Sequence, residues 1–165
     1  MWKTGHSLIK EKMKKEEALL AGEMSGHILF KHGYFGFDDA VYASLRLMKI
    51  IKKAGKPYST KALLKDVPEV IATPEIRFDC PDNIKFKIVE RAQNAFDEYE
   101  SNTIDGIRIQ FKDGWALIRA SNTQPVLVLR FEAKSQPRLD EIRALVEERL
   151  NNIINQEKGE TDSYS

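Results

Sequence analysis

Residues 114–133 read GWALIRASNTQPVLVLRFEA. Gly114 to Ala120 and Val126 to Ala133 are rich in branched and aromatic apolar residues, the composition of pleated strands, and read as neighbours joined by a hairpin loop. Upstream, Ile107, Ile109 and Phe111 alternate with Arg108 and Gln110, a half-buried strand, and Asp113-Gly114 supplies a tight hairpin turn. Before that, the pattern predicts a strand near Ile76 to Cys80 and a helix from about Asp82 to Tyr99 with Ile88, Val89, Ala92 and Phe96 inward. Downstream, a helix from about Pro137 to Ile153 places Leu139, Ile142, Val146, Leu150 and Ile153 on one side. The order β-α-β-β-β-α over residues 75–155 predicts an α+β domain, an antiparallel sheet with helices on one face. The tail 156–165, QEKGETDSYS, has no apolar stripe to bury and is expected to be disordered.

The segment PEVIATP, Pro68 to Pro74, has two prolines and no helical period, which places a domain boundary between residues 70 and 75. In the first half, Ser7 is expected to cap a charged, solvated helix, and His27 to Lys31 reads as a short strand. FDDAVYASLRLMKIIKKAG follows as an amphipathic helix, with Val41, Leu45, Met48 and Ile51 on one stripe, Asp38 as N-cap and Gly55 at its end. A shorter helix spans roughly Ser59 to Lys65. The strand HILFK has no evident sheet to join, and a lone strand cannot satisfy its backbone hydrogen bonds. Residues 1–70 therefore read as an incomplete α/β segment with sequence missing upstream.

With 165 residues and a formal net charge of +1, the chain has no basic face suited to nucleic acid and no polybasic membrane anchor. Its apolar runs are too short to span a bilayer, it has no signal core, and Cys80 as sole cysteine excludes an intrachain disulfide, which together read as a cytoplasmic protein. His6, His27 and His32 lack the spacing of a transition-metal site.

Three stretches carry candidate chemistry. In RASNTQP, Arg119 offers a planar fork of donors, Ser121 and Thr123 hydroxyls, and Asn122 an amide; a tight turn can also aim backbone N–H groups at one point, a set that suits an oxyanion such as phosphate. The alternative is a plain hairpin loop whose Ser and Asn make turn bonds. Arg130 sits on the same strand face as Val126 and Val128 and needs a partner or solvent. In GEMSGH, Glu23 can accept from vicinal hydroxyls, Ser25 can donate or accept, and His27 can move a proton near neutral pH; a surface turn before a strand is the other reading. In WKTGHS, Lys3 and His6 flank a glycine before a helix start, which is either an anion site or only a helix start.

These stretches, in this order and with YFGFDDAVYASLRL between the second and third, resemble the α-D-phosphohexomutases, in particular the bacterial phosphomannomutase/phosphoglucomutase group. The resemblance runs from the first residues to about Ile153. It implies a partial third domain over 1–70 carrying the sugar-specificity loop, a TBP-like fourth domain over 75–155 that binds phosphate, and a phosphosugar site shared among four domains. By similarity, Glu23, Ser25 and Lys3 would bind substrate. His27 would be the proton acceptor, and His6 would line the site. Arg119, Ser121, Asn122 and Thr123, assisted by Arg130, would hold the phosphate that is not being transferred. The implied ligand is mannose or glucose 1- or 6-phosphate, and the implied partners are the N-terminal domains of the mutase. The family's catalytic serine loop, similar to T-A-S-H-N-P, and its magnesium loop, similar to D-G-D-G-D-R, do not occur in this sequence. The chain is therefore expected to bind no cofactor, magnesium belonging to the complete enzyme, and to be inactive alone. A non-catalytic sugar-phosphate-binding module or a structural remnant is the alternative.

Overall fold

The computed structural model describes residues 1–162, and the chain divides into one unit over Met1–Pro68 and a second beginning at Glu69. In the first unit the order is α1 (His6–Lys15), β1 (Leu20–Gly22), β2 (Ile28–Phe30), β3 (Phe37–Asp38), α2 (Ala40–Ala54) and α3 (Thr60–Leu63). The three strands form one antiparallel sheet in the order β1-β2-β3. The expectation that HILFK lacks a partner is thereby corrected: Leu29 lies opposite both Ala21 and Asp38. Strands of two and three residues are too short to show alternation, so their pairing leaves no periodic trace in the sequence. Ile9, Met13 and Leu29 form the small core.

Two helix caps differ from those expected. Gly5, at φ 139°, precedes α1, and Ser7 lies inside the helix. Asp39 rather than Asp38 caps α2, its Oδ1 accepting from the Tyr42 N–H at 2.9 Å. Tyr42 stacks on Tyr34 at 4.0 Å and meets the edge of Phe30 at 5.4 Å, which fastens α2 to the sheet through aromatic rings. The stripe Val41, Leu45 and Met48 remains exposed.

The second unit runs β4 (Ile71–Ala72), β5 (Ile76–Asp79), α4 (Asp82–Ala95), β6 (Ser101–Asn102), β7 (Ile107–Phe111), β8 (Gly114–Ala120), β9 (Val126–Ala133) and α5 (Gln136–Asp162). The sheet is antiparallel, ordered β4-β9-β8-β7-β6, with β5 also pairing β9. The expected strands at 76–80, 107–111, 114–120 and 126–133 are present, β6 is added, and the first helix stops at Ala95, short of Tyr99. β4 and β5 are two pieces of one edge. Ala72 faces Glu132 and Ile76 faces Leu129, so the edge carries an extra residue around Pro74, a bulge. Thr73 bridges it, giving its N–H to Phe131 O at 2.9 Å and accepting the Phe131 N–H on Oγ1 at 3.1 Å.

Period two sends Ile107, Ile109, Phe111, Ala116, Ile118, Ala120, Leu127, Leu129, Phe131 and Ala133 to one face, where α4 and α5 cover them. Fully burying side chains such as Phe96, Phe131 and Ile142 contributes roughly 1.5–3 kcal/mol each. The β7–β8 register pairs Phe111 with Gly114, so Lys112-Asp113 makes the turn and Gly114 belongs to the strand. A Cβ at Gly114 would lie 2.5 Å from Glu132 O and 2.7 Å from Ile142 Cδ1, so only glycine lets α5 sit this close. The expected stripe of the last helix is buried as read, but the helix continues to Asp162. The expected disorder of residues 156–165 is thus corrected over 156–162, and residues 163–165 lie outside the described residues. The extension is held by charge where apolar residues run out: buried Glu157 pairs with Lys87 at 2.8 Å and with Arg91.

Candidate functional site

In the second unit the hairpin crest follows from strand register. β8 ends at Ala120 and β9 begins at Val126, and Ser121 N–H closes the loop on Val126 O at 3.0 Å. Asn122, Thr123, Gln124 and Pro125 are exposed, whereas Ser121 is buried. Ser121 Oγ accepts the N–H groups of Thr123 at 3.3 Å and Gln124 at 3.1 Å. These backbone donors therefore converge inward on a hydroxyl, contrary to the expectation that they aim at a ligand, and Ser121 first of all shapes the loop. Its own proton remains to be donated.

Arg119 and Arg130 emerge on the sheet face opposite the helices, since Arg119 pairs with Val128 and Arg130 with Leu117. That register makes the two arginines diagonal neighbours, a separation that long side chains bridge. Arg119 meets Asp105 only at 3.9 Å, too far for a charge-assisted hydrogen bond. Arg130 Nε is buried and has no hydrogen-bond partner among the described residues. A buried cationic donor without an acceptor is unfavourable, and an oxyanion at this face would satisfy it. Sequence reasoning missed two residues that touch the crest, Arg77 on the Arg119 face of the sheet, through their common neighbour Val128, and Lys85 on the helix side. Arg77 Nη1 donates to Gln124 Oε1 at 3.0 Å, and Lys85 Nζ donates to Gln124 O at 3.0 Å. Lysine at an inward position of α4 gives no apolar signal, so periodicity passes over it.

In the first unit GEMSGH forms the β1–β2 hairpin. Glu23 N–H bonds His27 O at 2.9 Å, Gly26 N–H bonds Glu23 O at 3.0 Å, and Gly26 takes φ 94°, where a Cβ would be strained. Ser25 Oγ donates to Glu23 Oε2 at 3.1 Å, so the two predicted polyol-reading side chains are already joined. His27 Nδ1 lies 2.5 Å from Asp38 Oδ2, a contact made by the β2–β3 pairing. Asp38, read from sequence as a cap, instead lies against Nδ1, where a carboxylate favours the tautomer that carries its proton on that nitrogen. Nε2, which has no partner among the described residues, is left as the acceptor. His6 and Lys3 stand exposed at the start of α1, where no bond joins them to the hairpin groups. A shallow depression of about 240 Å³ lined by Lys10, Met13, Lys14, Lys31, Phe35 and Gly36 contains none of the predicted residues.

Residues 1–69 match the family model described as phosphoglucomutase/phosphomannomutase, alpha/beta/alpha domain III, and residues 75–149 match its C-terminal domain. The chain is 48% identical over 155 residues to a phosphomannomutase/phosphoglucomutase of Pseudomonas syringae, covering 93% of this chain and 33% of the relative. It is 46% identical over 147 residues to a phosphoglucomutase of Neisseria gonorrhoeae, covering 87% of this chain and 31% of the relative. A crystal structure of a phosphoglucomutase/phosphomannomutase family protein from Burkholderia thailandensis superposes with a TM-score of 0.79 at 42% identity, covering 93% of this chain and 32% of that one. The chain spans about a third of the length of the curated relatives it matches. Among the described residues no helix is long and apolar enough to cross a membrane. By sequence and by fold, the chain belongs to the phosphoglucomutase/phosphomannomutase family, whose C-terminal portion it represents.

Proposed function

We propose that this chain is the sugar-recognising and phosphate-holding part of a hexose phosphomutase, residues 1–70 belonging to its third domain and 75–155 forming its fourth. The observation that carries the proposal is that the sheet face opposite the helices bears Arg119, which meets Asp105 only at 3.9 Å, and Arg130, whose buried Nε has no acceptor among the described residues, beside the exposed amide of Asn122 and hydroxyl of Thr123. Guanidinium donors and rotatable polar side chains can hold a dianionic phosphate ester in more than one orientation. A mutase that exchanges the 1- and 6-phosphates of one hexose needs such tolerance.

At the other end of the chain, Glu23 accepts from sugar hydroxyls with Ser25 beside it, and Lys3 and His6 contribute positive charge and a second imidazole. A sugar hydroxyl that attacks a phosphoryl group must lose its proton, and His27 Nε2, oriented through Nδ1 by Asp38, is the acceptor. The phosphoryl donor and the magnesium ion lie outside this sequence. Among the described residues no three of His, Cys, Asp or Glu gather as metal ligands, so the residues present do not fit the magnesium of the complete enzyme. Most transition-state stabilisation in phosphoryl transfer comes from metal and positioned donors, so this chain by itself binds without turning over.

Calorimetric titration with mannose 1-phosphate and glucose 1-phosphate tests the proposal. The expected affinity is weak, on the order of millimolar, because binding here must order groups that no closed cleft holds in place. Arg119→Ala should weaken it at least about tenfold. Superimposable titrations of the variant and the unmodified chain would remove the clamp assignment, and enzyme-like interconversion by the purified chain would refute the division of labour.

A further inference from the structure

The crest from Ser121 to Pro125 is anchored at several points, from the helix side and from the Arg119 face of the sheet. Cys80 N–H donates to Pro125 O at 2.9 Å, immediately before α4. Lys85, in the first turns of α4, donates from Nζ to Gln124 O at 3.0 Å and pairs with Asp82 at 2.6 Å. From β5, Arg77 Nη1 reaches Gln124 Oε1 at 3.0 Å. Of these groups Lys85 is the most unusual, because the residue is only 4% exposed. Lysine is almost never buried so fully unless its charge has a use, and burying an ammonium costs free energy that a methionine of similar length would not incur. What the ammonium does at this position, and a thioether cannot, is donate to the main-chain carbonyl at the foot of the crest.

We infer that Lys85 is a positioning residue for the phosphate-holding loop. Its ammonium fixes the Gln124 carbonyl, which fixes the Gln124 and Thr123 N–H groups on Ser121 Oγ, and so sets Asn122 and Thr123 relative to Arg119 on the adjoining strand end. Arg77, on the Arg119 face, holds the side-chain amide oxygen of the same residue. The inference rests on the reading of the crest as an anion site.

The test is a titration of the full chain with glucose 1-phosphate, followed through the backbone amide resonances of residues 122–124 by ¹⁵N NMR. The unmodified chain should show saturable shifts. Lys85→Met should weaken binding about tenfold and, without ligand, displace the Thr123 and Gln124 resonances and speed their hydrogen exchange, while the amides of β7 and α5 stay in place. Lys85→Arg, which keeps a cationic donor, should recover most of the affinity. Arg77→Gln, at an exposed position that does not hold the sheet together, should weaken binding about twofold and move the same loop amides. Lys85→Met that binds as the unmodified chain does, with loop amides unmoved, overturns the positioning role. If Lys85→Met does not fold, Lys85→Gln, which replaces the ammonium by a shorter neutral amide, overturns it instead when its binding and its loop amides match those of the unmodified chain. Absence of saturable shifts in the unmodified chain overturns the anion-site reading, and the inference falls with it.

Discussion

Glu157 is 1% exposed although it lies in a stretch with nothing apolar to bury, and Lys87 and Arg91 of α4 hold its carboxylate. Removing one member of a buried charge pair costs about 3–5 kcal/mol when the partners are stranded. Here Lys87 is half exposed and can regain water, so Glu157→Ala should destabilise the second unit near the lower end, by about 3 kcal/mol in urea unfolding. A loss below about 0.5 kcal/mol, the range of an ordinary surface substitution, would show that the last turns of α5 do not belong to the fold. Glu157 and Lys85 share a reason for having escaped the sequence reading. Apolar periodicity reports which face of an element is inward, and it is silent on which charged residue is drawn in with it. Arg119, Asn122 and Thr123 stand out in the sequence because donors clustered between two apolar strands are out of keeping with a plain turn, and Ser121, picked out for the same reason, accepts the loop's own Thr123 and Gln124 N–H groups.

At the level of the element, α2 depends on its first turn. Asp39 accepts from the Tyr34 hydroxyl at 2.5 Å and from the Tyr42 N–H, and the Tyr34 bond is the main cause that holds its carboxyl below the usual aspartate range. A carboxylate whose pKa falls on folding contributes stability that is complete above the unfolded value of about 3.9 and is lost as pH drops through the lower folded value. The same bond holds the Tyr34 hydroxyl above its ordinary range, so the contribution is also lost as pH rises past about 10. Acid titration of the Tyr42 amide resonance should therefore show the cap released below about pH 4, and Asp39→Asn, which still accepts but does not ionise, should abolish that transition. An identical transition in the variant would assign the change to another group. Elements of five residues or more, such as β7, β8, β9 and α5, were readable from period two or 3.6. The short β1, β3 and β6 were not, because two or three residues are too few to display a period.

For the whole molecule, the division into two units falls between Pro68 and Glu69, and Ile71-Ala72, inside the proline-bounded segment read as a boundary, already belongs to the second sheet. Limited trypsin digestion should cut at exposed Lys65, in a turn after α3, and leave a resistant fragment beginning at Asp66. The second unit has a continuous apolar core under two helices, and the first has a core of three buried side chains, so the amino-terminal portion should be degraded first. Disappearance of both portions at the same rate would count against separate folding.

The bulged edge around Pro74 bears on how the protein behaves when concentrated. A straight outermost strand is a template on which other chains can stack, as in amyloid fibrils, but proline offers no N–H to a newcomer and the extra residue bends the rim out of line. Fibril growth is thus discouraged at that rim, and clumping of this polypeptide should instead be amorphous and begin at the greasy flank of α2, where Val41, Leu45 and Met48 face water.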